Sequence, residues 1–112
     1  MGLTIELEHL EGSEASVCLN LQGEVDMHTS HQLRKRLKPL LTSKSTRVQV
    51  NLTGVDMMDT AGIATLAEGL EWSMKSGGKF VLSGLSERLR DVLALANLDT
   101  AFEIEGQGDA SR

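Results

Sequence analysis

The run Asp59-Thr60-Ala61-Gly62 places a carboxylate and a hydroxyl shortly before a glycine. A phosphate on a Thr hydroxyl adds about −1.5 to −2 charges at neutral pH, together with strong acceptor oxygens. Such an anion is favoured at a helix N-terminus, where free backbone N–H groups and the positive end of the helix dipole lie. If a helix begins here, the Thr60 hydroxyl therefore lies at a favourable place for a phosphate.

Helix capping is a simpler role for the same two polar residues. Ser, Thr, Asp and Asn are preferred at the N-cap, because the side-chain oxygen accepts a hydrogen bond from a backbone N–H two or three residues on. Both Asp59 and Thr60 fit that role by residue type. The local sequence leaves capping and phosphate chemistry open for Thr60.

The flanking residues predict the strand-to-helix step that this chemistry needs. Apolar and polar residues alternate over 47–52, which is the period of a strand with one buried face. Apolar residues then recur at helical spacing and predict a helix from about 61 to 75, closed by a glycine C-cap in Ser76-Gly77-Gly78. The predicted buried stripe of this helix consists of Ile63, Leu66, Ala67, Leu70 and Met74.

Strands and a helix are also predicted before this step. Alternation over 3–7 and 17–21 predicts an antiparallel hairpin with its turn at 11–13. A capping-box spacing from Thr29 opens a helix that Pro39 kinks or ends within a turn. The predicted inward residues of that helix are Leu33, Leu37, Leu40 and Leu41.

The last third of the chain adds a strand at 79–83, a helix starting near Ser86 and an edge strand at 102–104. The predicted inward residues of this helix are Leu89, Val92, Leu93 and Ala96. Because the strands alternate cleanly, helices are expected on one side of the sheet only. We predict an α/β fold, a mixed four- or five-stranded sheet with helices on one face. One domain spans 1–105, and 106–112 form a flexible C-terminal tail.

Charge and composition exclude several classes of function. The 112 residues include 11 basic and 16 acidic ones, for a net charge of −5. The basic residues are spread along the chain, which argues against nucleic-acid binding. No signal-peptide pattern and no run of about 20 apolar residues occurs, so we expect no direct membrane insertion. Cys18 is the single cysteine and is predicted to point outward from its strand, which fits a reducing, cytoplasmic setting.

No motif predicts catalysis, a cofactor or a metal. The phosphate-cradling run Gly-x-x-x-x-Gly-Lys-Ser/Thr is missing from the sequence. His28 and His31 share a helix face by spacing, yet no third ligand accompanies them at a metal-site spacing. Asp26 and Asp59, flanking Thr60, are the only acid and base candidates. We expect a non-enzymatic protein.

Two apolar residues are candidate partner contacts. Trp72 follows Ile63 by nine residues, which puts it on roughly the opposite side of the helix from the apolar stripe. An exposed indole is a common contact in protein interfaces, and packing against a loop is the alternative. Met57 and Met58 either fill the core or form an adaptable surface beside Thr60. We favour a contact role for Met58.

Four motifs occur in order along the chain. They are Gly23-Glu24-Val25-Asp26, Val48-Gln49-Val50-Asn51-Leu52, Met58-Asp59-Thr60-Ala61-Gly62, and Gly84-Leu85-Ser86 followed by the stretch 93–98. Together they resemble the STAS domain of bacterial anti-sigma factor antagonists. The resemblance runs from about residue 3 to about residue 105.

The resemblance implies a protein-binding switch. In such antagonists an anti-sigma factor kinase phosphorylates a Ser or Thr at the helix start, a phosphatase removes the phosphate, and Thr60 matches that position. Asp26, in the loop after the second strand, and Asp59, just before the acceptor, match family acids. Unphosphorylated protein is implied to bind the anti-sigma factor and free the sigma factor. The expected partner-binding residues are Asp26, Met58, Asp59, Thr60 and Trp72.

One departure from the family pattern leaves a second function open. The commonest antagonist motif has two serines where this chain has Thr60-Ala61. An Asp-Thr-Ala-Gly run also resembles the STAS subunit of phospholipid-trafficking ABC transporters, which binds the ATPase subunit and need not be phosphorylated. The alternative is therefore a constitutive adaptor for an ABC transporter ATPase.

Overall fold

The computed structural model describes residues 2–10, 16–42 and 47–105. The strands in this part of the chain are β1 (Leu3–His9), β2 (Ser16–Val25), β3 (Arg47–Met58), β4 (Lys79–Ser83) and β5 (Glu103–Glu105), and the helices are α1 (Ser30–Leu41), α2 (Thr60–Ser76) and α3 (Glu87–Leu95). The predicted turn at 11–13 and the predicted tail at 106–112 lie outside the described residues. None of the described helices has the length and hydropathy that crossing a bilayer requires.

The strands form one mixed five-stranded sheet in the order β1-β2-β3-β4-β5. β1 pairs with β2 antiparallel, and the remaining neighbours are parallel. In β3 the buried residues Val48, Val50 and Leu52 alternate with polar ones and pack into the same core as α1 and α2. The predicted mixed sheet with helices on one face is confirmed.

β3 is longer than predicted and continues to Met58, directly before α2. The polar stretch after Leu52 hid the second half of this strand, because Thr53 and Gly54 interrupt the alternation on which the prediction rested. The extension brings the end of β3 beside the end of β2, where Val25 is paired with Met58. The start of α2 is thereby placed against the loop that follows β2.

The buried stripe of α2 differs from the predicted one. Ile63 and Leu66 are buried as predicted, but the stripe continues through Gly69 and Ser73, while Met74 is exposed. A Cβ on Gly69 would lie only 3.0 Å from side-chain atoms of Leu41 and Phe80. Because Gly69 allows close packing here, the helix turns Gly69 and Ser73 to the core and leaves Leu70 half-buried.

Three expectations for α1 have different outcomes. Pro39 lies in the last turn and the helix ends at Leu41, as predicted. Leu33, Leu37 and Leu41 are buried, whereas Leu40 is only half-buried. The predicted capping box is wrong, because the Thr29 hydroxyl makes no cap hydrogen bond and instead donates to the carbonyl oxygen of Glu24 at 2.8 Å.

The sheet face without helices buries two residues. Cys18 is predicted to be exposed, and it does point away from the helices, yet only 4% of its surface is accessible. Gln49 lies between Cys18 and Val81 in the strand register, and Val81 is fully buried. Burial, with a smaller contribution from the Glu8 carboxylate, raises the pKa of the Cys18 thiol. Long polar neighbours thus cover apolar atoms where no helix does.

The predicted C-terminal elements are present. Ser86 caps α3, since its hydroxyl oxygen accepts a hydrogen bond from the N–H of Leu89 at 3.1 Å. Leu89 and Leu93 are buried, but Ala96 is exposed, because the helix ends before it and Ala96 is the C-cap. β5 is the predicted edge strand, anchored by the edge-to-face contact of Phe102 with Phe80 at a centroid distance of 5.8 Å.

Candidate functional site

The N-terminus of α2 is capped by Asp59. Its backbone is extended, and one carboxylate oxygen accepts hydrogen bonds from the N–H groups of Ala61 at 2.9 Å and Gly62 at 3.2 Å. The capping role considered for Thr60 is therefore wrong, and the same role for Asp59 is confirmed. Capping by the preceding residue frees the Thr60 hydroxyl from that task.

Thr60 is the first residue of α2 and its side chain is exposed. Its hydroxyl makes no hydrogen bond with any of the residues that the structure describes. The side chain thus meets the steric requirement of a group that an incoming kinase modifies. It also lies at the positive end of the helix dipole, where a phosphate is tolerated.

The loop after β2 is folded around the side chain of Asp26. One carboxylate oxygen accepts hydrogen bonds from the N–H of His28 at 2.9 Å and of Thr29 at 3.1 Å, which makes a tight turn into α1. The N–H of His28 is the main cause that holds the pKa of Asp26 below its usual range, and Thr29 adds to it. Asp26 is thus a fixed negative charge at neutral pH.

Strand pairing brings this loop beside the start of α2. The N–H of Asp59 donates to the carbonyl oxygen of Val25 at 3.1 Å, one residue before Asp26. A Cβ on Gly62 would lie only 2.8 Å from the same carbonyl oxygen, so the first turn of α2 packs directly on the end of β2. Asp26, Asp59 and Thr60, singled out from the sequence, therefore belong to one surface.

The other two predicted partner contacts lie elsewhere. Met58 is 7% exposed and packs in the core. Trp72 is half-buried, packs against the core from the α1 side of α2, and has the ammonium of Lys38 at 5.9 Å from its ring centroid. Their roles as partner contacts remain predictions, and each requires a partner to reach a mostly covered side chain.

Sequence reasoning did not select Met27, which is the exposed residue nearest in sequence to Asp26. Its side chain is 71% exposed in the turn before α1. A large apolar residue inside a predicted polar loop was the signal available in the sequence. His28 and His31 are both exposed, and no cluster of metal-ligand side chains is found within the described ranges.

The chain matches a protein-family model over most of its length. The matching model is described as "Mlab, STAS domain" and covers residues 8–105. Among curated proteins, the anti-sigma-B factor antagonist of Bacillus subtilis (strain 168) is 27% identical over 97 residues, which is 87% of this chain and 88% of the relative.

Solved structures show the same fold. An anti-sigma factor antagonist from Mycobacterium paratuberculosis superimposes with a TM-score of 0.79 at 22% identity, covering 96% of this chain and 89% of the other. The Bacillus cell fate determinant SpoIIAA, in its phosphorylated form, superimposes with a TM-score of 0.67 at 20% identity, covering 96% of both chains. These likenesses show that the chain shares the fold of these proteins, the five-stranded sheet with its helices.

Proposed function

The chain belongs to the STAS domain family, and we propose that it is an anti-sigma factor antagonist whose binding is switched by phosphorylation of Thr60. Its curated relatives include an anti-sigma-B factor antagonist and an anti-sigma F factor antagonist. The proposed activity is binding rather than catalysis, and the kinase supplies the ATP. The proposal places the protein in the cytoplasm with an anti-sigma factor kinase and a phosphatase as partners.

The observation that carries the proposal is the exposed hydroxyl of Thr60, which has no hydrogen-bond partner among the described residues and lies beside a capping carboxylate. Asp59 already accepts from the N–H groups of Ala61 and Gly62, which are the donors that a phosphate at a helix start would otherwise use. A phosphate on Thr60 therefore keeps most of its charge available to act on a partner. The core is not involved, so the fold persists in both states.

Repulsion at the surface provides the proposed off-state. A phosphate adds about −1.5 to −2 charges next to the carboxylates of Asp26 and Asp59. A partner surface that approaches with acidic groups, or that must desolvate this region, loses affinity. Support comes from SpoIIAA, a structural relative that has been solved in unphosphorylated and phosphorylated forms.

The proposed cycle has two binding states. Unphosphorylated protein binds the anti-sigma factor, which then releases its sigma factor. The kinase activity of that partner transfers phosphate to Thr60, and the complex dissociates. A phosphatase restores the binding-competent form.

Affinity copurification from the native cell, with mass spectrometry, tests this proposal. Wild type, Thr60→Glu and Thr60→Ala are compared, and phosphorylation of Thr60 is measured in the same digest. We expect an anti-sigma factor kinase with wild type and its loss with Thr60→Glu, while thermal unfolding stays unchanged. Thr100→Glu adds the same charge at another exposed threonine and is expected to retain the partner. Equal recovery with Thr60→Glu would refute the switch.

A second function is favoured by the Thr60-Ala61 pair, which replaces the two serines of the commonest antagonist motif. In that case the protein is the STAS adaptor of a phospholipid-trafficking ABC transporter. The same copurification separates the two functions. An ABC ATPase recovered with unphosphorylated wild type would support the adaptor, and its absence from every preparation would count against it.

A further inference from the structure

One side of α2 carries apolar side chains that the described residues leave uncovered. They form a shallow groove of about 390 Å³ between α2 and the segment after α3, which we call the α2 groove. Its lining consists of Ala64, Ala67, Glu68, Leu70, Glu71, Met74 and Leu98. Met74 is 73% exposed and belongs to this contiguous apolar lining, and contiguous exposed apolar patches mark interaction sites.

The groove follows from the way α2 packs on the sheet. Because the helix buries Gly69 and Ser73, the larger residues Leu70 and Met74 face away from the deepest part of the core. Ala64 and Ala67 form a low floor, since neither side chain extends beyond its Cβ. Small residues at this spacing allow a second helix to approach closely.

The charges at the groove select the chemistry of its occupant. Glu71 is exposed at the rim. The carboxylate of Glu68 is paired with Arg34 at 3.1 Å, so Glu71 is the acid of the groove lining that has no ion pair among the described residues. A second copy of this chain, with a net charge of −5, would bring acids against acids. An apolar segment flanked by Lys or Arg is complementary to this surface.

We propose that the α2 groove binds an amphipathic helix of a partner protein, with apolar anchors at helical spacing and basic residues in its first turns. This proposal rests on the proposed function, because it names how the antagonist holds its partner. Helix-in-groove recognition uses anchors at i, i+3, i+4 and i+7, which matches a shallow apolar floor with a charged rim.

The position of Thr60 fixes the direction of the bound helix. Thr60 precedes Ala64 by four residues on the exposed side of α2, about 6 Å along the axis, and lies about 21 Å from Met74. A phosphate on Thr60 therefore stands at one end of the groove. A phosphate there repels the negative C-terminal end of a helix, so we place that end of the partner helix beside Thr60. The partner helix consequently runs antiparallel to α2, with its basic N-terminal turns near Glu71.

Two synthetic peptides serve as probes in a titration followed by NMR. The first has about 18 residues, leucines along one helical stripe and lysines in its first two turns. The second has the reverse order, with the lysines in its last two turns. We expect saturable shifts of the Ala64 and Ala67 methyl signals with the first peptide. A scrambled peptide of the same composition is the control for non-specific apolar binding.

Matched substitutions locate the site. Ala67→Glu is expected to lower the affinity for the first peptide about tenfold or more. Ala94→Glu makes the same change at an exposed alanine of α3 outside the groove, and it is expected to leave this affinity unchanged. Met74→Lys, at a side chain too exposed to affect folding, repeats the test of the groove. Thr60→Glu is expected to lower the affinity for the first peptide and to raise the affinity for the reversed one.

The opposite results overturn the proposal. The proposal fails if the signals do not saturate up to about 1 mM peptide, or if the scrambled peptide binds equally well. It also fails if Ala67→Glu and Ala94→Glu change the affinity equally. The proposed direction fails if Thr60→Glu affects both peptides alike. In the copurification, loss of the kinase with Thr60→Glu but not with Ala67→Glu would reject the groove and leave the proposed function intact. Failure of the proposed function shows instead as retention of the partner with Thr60→Glu.

Discussion

At the scale of single residues, the site separates structural from functional tasks. Asp59 caps α2 and Asp26 closes the turn before α1, so both carboxylates are engaged with backbone N–H groups. Thr60 directly follows Asp59, and its hydroxyl makes no hydrogen bond within the described residues. A residue whose side chain makes no hydrogen bond within the described fold can be modified without unfolding the protein. A reversible switch requires such a residue.

The turn at Asp26 predicts a pH dependence of stability. The N–H of His28 lowers the pKa of Asp26 in the folded protein. Its contribution is therefore complete above the unfolded pKa of about 3.9 and is lost as pH falls through the folded value. Below about pH 4, we expect the free energy of unfolding of wild type to fall more steeply with pH than that of Asp26→Asn. Above about pH 5, the two proteins should show the same pH dependence. Urea unfolding across this range measures it. Asp91→Asn, at an exposed position of α3, is the control and should follow wild type.

At the scale of elements, alternation and helical spacing predicted most of the strands and helices, because one buried face imposes a period on the residues. The same rule misassigned the buried side of α2, since it ranks Leu70 and Met74 above Gly69 and Ser73 by hydrophobicity. Close packing against Leu41 and Phe80 decided in favour of the small residues. A sequence alone does not show how closely two elements approach.

Close approach also determines how the start of α2 packs against the end of β2. A Cβ on Gly62 would lie 2.5 Å from the side chain of Met58 and 2.8 Å from the carbonyl oxygen of Val25. We expect Gly62→Ala to displace the start of α2 and lower the free energy of unfolding by about 1–3 kcal/mol. Chemical denaturation measures this, with Gly2→Ala as the control, because a Cβ there meets nothing within 4 Å. A Gly62→Ala protein as stable as wild type would show that the helix start yields without cost.

At the scale of the whole molecule, an open sheet has edges that attract other strands. β1 is an edge strand, so the backbone N–H and carbonyl groups of every second residue point away from β2. Side chains of α1 reach two of these carbonyl oxygens: Gln32 donates to Leu3 at 3.3 Å and Arg36 to Ile5 at 3.4 Å. Part of the edge is thereby covered by the molecule's own helix.

Removal of this cover is expected to promote self-association. In Gln32→Ala/Arg36→Ala the carbonyl oxygens of Leu3 and Ile5 lose their donors from α1. The β1 strand of a second copy can then pair with this edge without displacing those hydrogen bonds. Sedimentation velocity should show a larger dimer fraction than wild type at equal concentration. Lys35→Ala removes an exposed charge from the same helix without uncovering the edge, and it should behave as wild type. An unchanged dimer fraction in the double variant would mean that the two donors do not protect β1.

The order β1-β2-β3-β4-β5 repeats the order of the strands in the chain, so no strand has to insert between two that already pair. During synthesis at about 5–20 residues per second, each strand can dock on its predecessor as it leaves the ribosome. The residues that hold Thr60 all precede β4: the end of β2, the end of β3 and the first turn of α2. The candidate site around Thr60 is therefore already complete in the sequence before β4 and β5 are synthesised.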